Sequence, residues 1–274
     1  MEALPSAAAP HPPDEAARLL ALAGYEILDT PAEQSFDDLA ALGAHIAQSP
    51  ISLISLIDAD RQWFKSRVGV VLAETRRDIS FCSHVVVSRE PLIVPDVQRD
   101  PRFANNPLVV AEPGIRFYAG FPLVTPDDHV IGTLCVLDVK PRTLSVEQGR
   151  HLLALSRQVM HQLELRRTLR LTRQAAARAG LFFERAPDLF CVVGADGFVQ
   201  DANTTFLGTL GLEMEALRSR PLMEQIHPDD QATFSDAIGA LVAGEQEEAA
   251  FSARAAAQDG WRTLSWRVRG VPRE

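Results

Sequence analysis

The stretch SVEQGRHLLALSRQVMHQLELRRTLRLTRQAAARA, residues 145–179, decides how this chain is organised. Ser145 followed three residues later by Gln148 predicts a reciprocal capping box over a first helical turn. From Leu152 to Ala179 there is neither proline nor glycine, and Leu152, Leu155, Val159, Leu163 and Leu169 recur at helical spacing. A helix of about 35 residues at 1.5 Å each spans roughly 50 Å, more than the diameter of a small domain. It is therefore expected to project, with its apolar stripe buried against a second copy in a parallel homodimer through the 145–179 helix. Arg166 and Arg173 interrupt a strict heptad counted from Leu152, and the alternative is a helix folded back on its own domain. Mixed helix and strand patterns stand on both sides, so two modules joined by a helix suggest a relay.

Composition narrows the class. At 274 residues the chain holds two domains, and 46% hydrophobic with 23% charged residues is the balance of a globular protein. No apolar run approaches the roughly 20 residues of a membrane span, and no secretory pattern opens the chain, so a cytoplasmic location is expected. A formal net charge of −9 argues against nucleic acid as a partner. The arginines Arg150, Arg157, Arg166, Arg167, Arg170, Arg173 and Arg178 read as the solvated flank of the long helix. Cys82, Cys135 and Cys191 are odd in number and lack CxxC spacing, which indicates neither a disulfide framework nor a zinc site.

Residues 1–13, rich in Ala, Pro and Ser, read as a disordered tail, and a first module runs over 14–163. A short helix ends near Leu22. Thr30, with Pro31 and Glu33, predicts a capping box for a second helix whose face carries Phe36, Leu39, Ala40, Gly43 and Ile46. Strands are predicted at 51–58, 62–69, 91–97, 115–124 and 130–138. Helices first, then mostly antiparallel strands and a closing helix give an α+β fold. Trp63, Phe64, Phe81, Phe117 and Tyr118, with His84 and Arg116 near them in sequence, are candidates to line a pocket. Arg116 would pair an anion there. The competing reading makes the aromatics core and lets Arg102 and Arg116 brace loops through Asp96 or Asp100. Cys135, inside a strand, reads as a buried hydrophobe, and Cys82 reads as inert unless neighbours lower its pKa.

LDTPAEQSFDDLAALGAHI (28–46), LIDADRQWFKSRVG (56–69), DISFCSHVV (78–86), PLIVPDVQRDPRFANNPLV (91–109), GIRFYAGFPLVTPDDHVIGTLCVLD (114–138) and LSVEQGRHLLALSRQVMHQLELRR (144–167) together resemble a bacterial GAF domain. That resemblance implies a six-stranded antiparallel sheet with a ligand pocket on one side and a dimer-forming helix layer on the other. The candidate ligand-binding residues are Trp63, Phe81, Cys82, His84, Arg116 and Tyr118. Phytochrome-like members of the family attach a bilin through a cysteine that a histidine follows directly. Here Ser83 intervenes. A related fold reduces free methionine sulfoxide with a set of cysteines whose surrounding motif is missing from this sequence.

Residues 164–180 read as a linker continuous with the last helix of the first module, and a second module covers 181–274. LFFERAPDLFCVVGADGFVQDAN (181–203) predicts a hairpin turning at Asp196 and Gly197, and a second hairpin turns at Asp259 and Gly260. Two strands, several helices and returning strands, with IHPDD at 226–230 and Asn203 after the second strand, resemble a PAS domain. Its last strand is expected to be missing. Haem through His227 and flavin are not indicated, nor is any metal. The expected function is a cytoplasmic sensory module that binds a small ligand or partner. It would signal through a dimeric helix to an absent output domain, a histidine kinase or diguanylate cyclase. The alternatives are a thiol reductase using Cys82 and a ligand-free dimerisation scaffold; no catalytic constellation is present.

Overall fold

A computed structural model describes residues 8–270, and the chain divides into two units, Met1–Leu171 and Thr172–Glu274. Residues 1–7 of the expected tail lie outside the described residues. Pro12, within the remainder, is buried and accepts a hydrogen bond from Glu15 N, so the chain is packed from there.

Unit one opens with α1 (Glu15–Gly24) and α2 (Gln34–Ala47). Six strands follow: β1 (Ile51–Ile57), β2 (Arg61–Val68), β3 (Glu74–Arg76), β4 (Leu92–Val94), β5 (Phe117–Val124) and β6 (Val130–Asp138). They form one antiparallel sheet in the order β3-β2-β1-β6-β5-β4. Between β3 and β5 lie α3 (Phe81–Ser88) and α4 (Pro107–Val110). The strand expected over 91–97 is only Leu92–Val94, because Pro95 withdraws its N–H from the ladder. The short edge strand β3 and the helix α3 have no period long enough to be read from sequence.

The sheet is buried on both faces. One face packs Ile54, Leu56, Phe117, Phe121, Leu134 and Val136 against α1, α2 and the start of α5 (Val146–Arg185). α5 is capped as predicted: Ser145 N donates to Gln148 Oε1 at 2.9 Å and Gln148 N to Ser145 Oγ at 3.1 Å. Its 40 residues run through Gly180 to Arg185 without a break, a length of about 60 Å. The predicted apolar stripe is occupied within the chain: Leu152, Leu155, Val159 and Leu163 are buried in this core, and Leu169 alone stays 48% exposed. The amphipathic period reported a face to bury, and the sheet of the same unit supplies the cover.

Thr30 does not cap α2. The helix begins at Gln34, and the Thr30 hydroxyl donates to Ile27 O and accepts from Lys65 Nζ at 3.0 Å. A β-bulge between Ile54 and Ser55 leaves Lys65 without a ladder partner, with Ile54 opposite Ser66 and Ser55 opposite Phe64. Lys65 and Ser66 consequently both reach the α2 side, Lys65 to Thr30, Pro31 O and Glu33, and Ser66 to Asp37. A buried ammonium needs acceptors, and it takes the groups a helix cap would have used.

Arg166 is likewise no mismatch in a coiled coil. Its Nε donates to Glu33 Oε1 at 2.9 Å and its Nη1 to Glu26 O at 3.2 Å, which ties α5 to the α1–α2 connection. Arg173 is exposed, as is every residue from Leu171 to Phe182. Arg166→Leu is expected to cost unit one about 1–2 kcal/mol and Arg173→Leu less than about 0.5 kcal/mol in urea denaturation.

A third ion cluster makes the unit acid-sensitive. Buried Arg18 donates to Glu15 at 2.9 and 2.8 Å and to Ile57 O at 2.6 Å, and Arg77 also grips Glu15. Burial raises the Glu15 pKa, but hydrogen bonds and charge from the two guanidiniums outweigh it and bring it down to about 2. A carboxyl depressed on folding stabilises fully above its unfolded pKa of 4.5 and loses that contribution as pH falls toward 2. Between pH 5 and pH 2 wild type should therefore lose about 2 kcal/mol more stability than Glu15→Gln, measured by urea denaturation across that range.

Unit two carries β7 (Cys191–Val193), β8 (Val199–Ala202), α6 (Thr204–Leu210), α7 (Met214–Arg218), α8 (Gln231–Val242), β9 (Glu248–Ala257) and β10 (Gly260–Arg269). The described strands form two separate antiparallel pairs, β7 with β8 and β9 with β10, around a core of Phe206, Leu217, Ile226 and Phe234. The second hairpin turns one residue earlier than expected, at Gln258 and Asp259, because Gly260 already pairs with Ala257. Residues 271–274, in which the fourth predicted strand ended, lie outside the described residues.

Candidate functional site

The sheet face away from α1 and α2 holds a second core, closed by α3, α4 and the connection between β4 and α4, which supplies Val97 and Phe103. Ser80 caps α3, accepting from Ser83 N at 3.3 Å. Buried Asn106 ties α4 to the turn ahead of α3: its Nδ2 donates to Ile79 O and its Oδ1 caps α4 at Leu108 N, both at 2.9 Å. Between this layer and the sheet is a cavity of about 100 Å³. Its walls are mostly apolar, including Phe64, Phe81, Ile115, Tyr118 and Leu137, with Gln62, Thr75, Cys82 and Cys135 as polar points. Leu72, 63% exposed, forms part of the rim.

Of the six candidate ligand residues, Phe81, Cys82 and Tyr118 line this cavity and three do not. Trp63 goes to the opposite face and packs in the helix-side core, because alternation along β2 points Gln62 and Phe64 to the cavity. His84 stands outside the lining, edge-on to the Phe103 ring at 4.9 Å. Arg116 turns to main chain, donating to Val109 O at 2.8 Å and Ile115 O at 3.0 Å, so it braces the loop through carbonyls and not through the carboxylates considered from sequence. Arg102 does pair Asp100, at 2.9 and 2.6 Å, and holds that carboxyl below its ordinary pKa.

The polar centre of the cavity is Cys82. Ser55 Oγ at 3.3 Å, Gln62 Nε2 at 3.4 Å and Tyr118 OH at 3.3 Å all donate to its sulfur, and Cys135 Sγ lies 3.6 Å away. Ser55 also meets Thr133 Oγ1 at 3.0 Å, across the directly opposed pair on β1 and β6. Burial pushes the Cys82 thiol up, yet hydrogen bonds from Cys135, Ser55, Thr133 and Tyr118 outweigh it and bring it below the ordinary thiol range. Cys135 moves the other way, well up, through burial and the adjoining Cys82. Within the coupled pair these donors favour negative charge on Cys82 over Cys135.

Gln62, Ser55, Thr133 and the partnership of Cys135 with Cys82 were not singled out from the sequence. Their signal is parity: Ser55 falls on the same strand face as Leu53 and Ile57, and Thr133 on that of Cys135 and Leu137. Polar residues inside otherwise apolar strands mark where a buried network sits.

In unit two His227 caps a 3-10 turn at Pro228–Asp230, accepting from Asp229 N, and lies edge-on to Trp261. Among the described residues there is no group of three or more His, Cys, Asp or Glu placed to hold a metal ion, and no helix long and apolar enough to cross a membrane.

Residues 27–166 match the family model of the GAF domain, and residues 183–274 that of the PAS fold. A cyclic di-GMP phosphodiesterase of Pseudomonas aeruginosa strain PAO1 is 37% identical over 174 residues, 63% of this chain and 29% of the relative. The chain thus spans less than a third of the length of that curated relative. Among solved structures, the E. coli DhaR(N)-DhaL complex aligns with 93% of this chain and 82% of the matched one at 16% identity and a TM-score of 0.52. The GAF domain of an Acinetobacter phosphoenolpyruvate-protein phosphotransferase aligns with 56% of this chain and 93% of its own at 18% identity and a TM-score of 0.42.

Proposed function

Since this chain belongs to the GAF domain family, with a PAS fold beyond its long helix, we propose that it is the sensory region of a cytoplasmic signalling protein whose output activity lies elsewhere in that protein. One observation carries the reading: a single sheet bears the Cys82 cavity on one face and the first turns of α5 on the other. A small, mostly apolar ligand entering the cavity would displace side chains of β1 and β6, strands whose alternate residues pack on Leu152 and Leu155 of α5. The occupied state then biases the packing of α5, which is continuous through Arg185 into unit two. The name of the Pseudomonas relative supports cyclic di-GMP turnover as the regulated activity, in preference to a kinase.

The homodimer is proposed on the part of α5 that its own core leaves uncovered, where Leu165, Leu169, Leu171, Leu181 and Phe182 are exposed. Leu165 and Leu169, about one helical turn apart on α5, would lie against the second copy.

The test is a thermal-shift panel of small metabolites. A compound that raises the melting temperature of wild type and leaves Ile115→Phe, which fills the cavity, unmoved supports the reading. Equal shifts in both proteins would place binding elsewhere.

A further inference from the structure

We propose that Cys82 and Cys135 are a reversible dithiol pair that a small hydroperoxide, admitted to the cavity, oxidises to a disulfide. It rests on the reading of the cavity as the sensing site and names a second input to it, one that acts on covalent bonds and not on occupancy.

Placement is the first ground. The two sulfurs come from different elements, α3 and β6, 53 residues apart in sequence, and lie 3.6 Å from each other. Reaching a covalent separation of about 2 Å takes a side-chain shift of about 1.5 Å. Both thiols line the cavity, whose volume holds several water-sized molecules.

The second ground is the chemistry around Cys82. Three donors, Ser55 Oγ, Gln62 Nε2 and Tyr118 OH, converge on one sulfur, which is what a thiolate asks of its surroundings and a neutral thiol does not. Cys191, in the other unit, has burial alone acting on it, and its thiol is pushed up to about 11. The same donors can stabilise the oxygen that leaves a peroxide.

The steps balance. The Cys82 thiolate attacks one oxygen of the hydroperoxide and the O–O bond breaks. The terminal O–H oxygen stays on Cys82 as a sulfenic acid, and the leaving oxygen takes from solvent the proton that the Cys82 thiol gave up on ionising and departs as water or an alcohol. Cys135 then attacks that sulfur. The S–S bond forms, the sulfenic hydroxyl leaves, and the proton lost from Cys135 converts it to water. Two thiols lose two electrons in total and the hydroperoxide gains them; a cellular dithiol returns the pair by exchange. Forming the bond removes Cys82 as acceptor for Ser55, Gln62 and Tyr118, so the polar wall of the cavity rearranges.

The experiment treats the full chain with stoichiometric hydrogen peroxide at neutral pH, blocks remaining thiols, and maps the product by mass spectrometry. Expected are a loss of two hydrogen masses from the intact protein and one cross-linked peptide pair containing Cys82 and Cys135, reversed by dithiothreitol. Cys135→Ser should instead stop with one added oxygen on Cys82. Unchanged wild-type mass, oxygen added to wild type without cross-linking, or a cross-link through Cys191 would each overturn the proposal. The metabolite panel, run on reduced protein, reads the ligand-sensing role separately, so either can fail alone.

Discussion

Asn203→Ala lowers the stability of unit two by about 3–4 kcal/mol, at roughly 1 kcal/mol for each of the four hydrogen bonds this buried amide makes. The side chain is 0% exposed and fully used. Its Oδ1 accepts from Phe190 N and Phe206 N, both at 3.0 Å, and its Nδ2 donates to Phe183 O at 3.0 Å and Asp188 O at 2.9 Å. One amide thus caps α6, fixes the chain entering β7 and holds the last turn of α5. Asn203→Asp keeps both acceptors but turns an anion toward two carbonyl oxygens, and its cost should be at least as large. Urea denaturation followed by circular dichroism reads the loss, and hydrogen exchange should place the new opening at residues 183–206 while the cavity walls of unit one keep their protection. A loss below about 1 kcal/mol would mean that water replaces the amide without difficulty.

Lys65→Met destabilises unit one by about 3 kcal/mol, because it takes the buried donor from Pro31 O and Thr30 Oγ1 and removes one of the two cations on Glu33. Lys65 Nζ is wholly enclosed. It donates to Pro31 O and Glu33 Oε1 at 2.7 Å and to Thr30 Oγ1 at 3.0 Å, and it lies 5.2 Å from the centre of the Phe36 ring. Lys65→Arg should not rescue it, since a planar fork needs more room than the enclosed ammonium has. Glu33 also receives Arg166, so Lys65→Met and Arg166→Leu share a partner. Their combined cost should depart from the sum of the single costs by about 0.5 kcal/mol or more. Additive costs would separate α5 energetically from the bulge, contrary to the shared hydrogen bonds.

What could be read in the sequence follows from where each signal resides. The capping box at Ser145 and Gln148 is local, and it is present as written. The strands at 51–57 and 130–138 are short apolar runs bounded by turns, and their extents are close to those expected. The partner of an apolar stripe is not local. Period alone reports that Leu152 to Leu163 must be buried, and the answer here is the sheet of their own unit. Thr30, Pro31 and Glu33 have the pattern of a cap, but a lysine brought in by a bulge on β2 claims their oxygens.

The candidate site divides in the same way. Phe81, Cys82 and Tyr118 reach the cavity, whereas Trp63 qualifies only as an aromatic on a strand, and His84 and Arg116 only by nearness in sequence to such aromatics. Strand parity would have sent Trp63 to the other face, opposite Phe64. No pattern in the chain announces that Arg116 ends on the carbonyls of Val109 and Ile115, because that depends on the path of an irregular loop. The meeting of Cys82 with Cys135 requires the pairing of β1 with β6 and the seating of α3, neither of which a single sequence specifies.

The central claim is that unit one senses a small molecule and transmits the event through α5. Hydrogen-exchange mass spectrometry of the full chain, with and without a compound selected by the thermal-shift panel, tests it most directly. The account predicts increased protection at Phe81–Ser88 around the cavity together with a change in exchange along residues 152–185. Protection confined to the cavity, with α5 unchanged along its length, would contradict it.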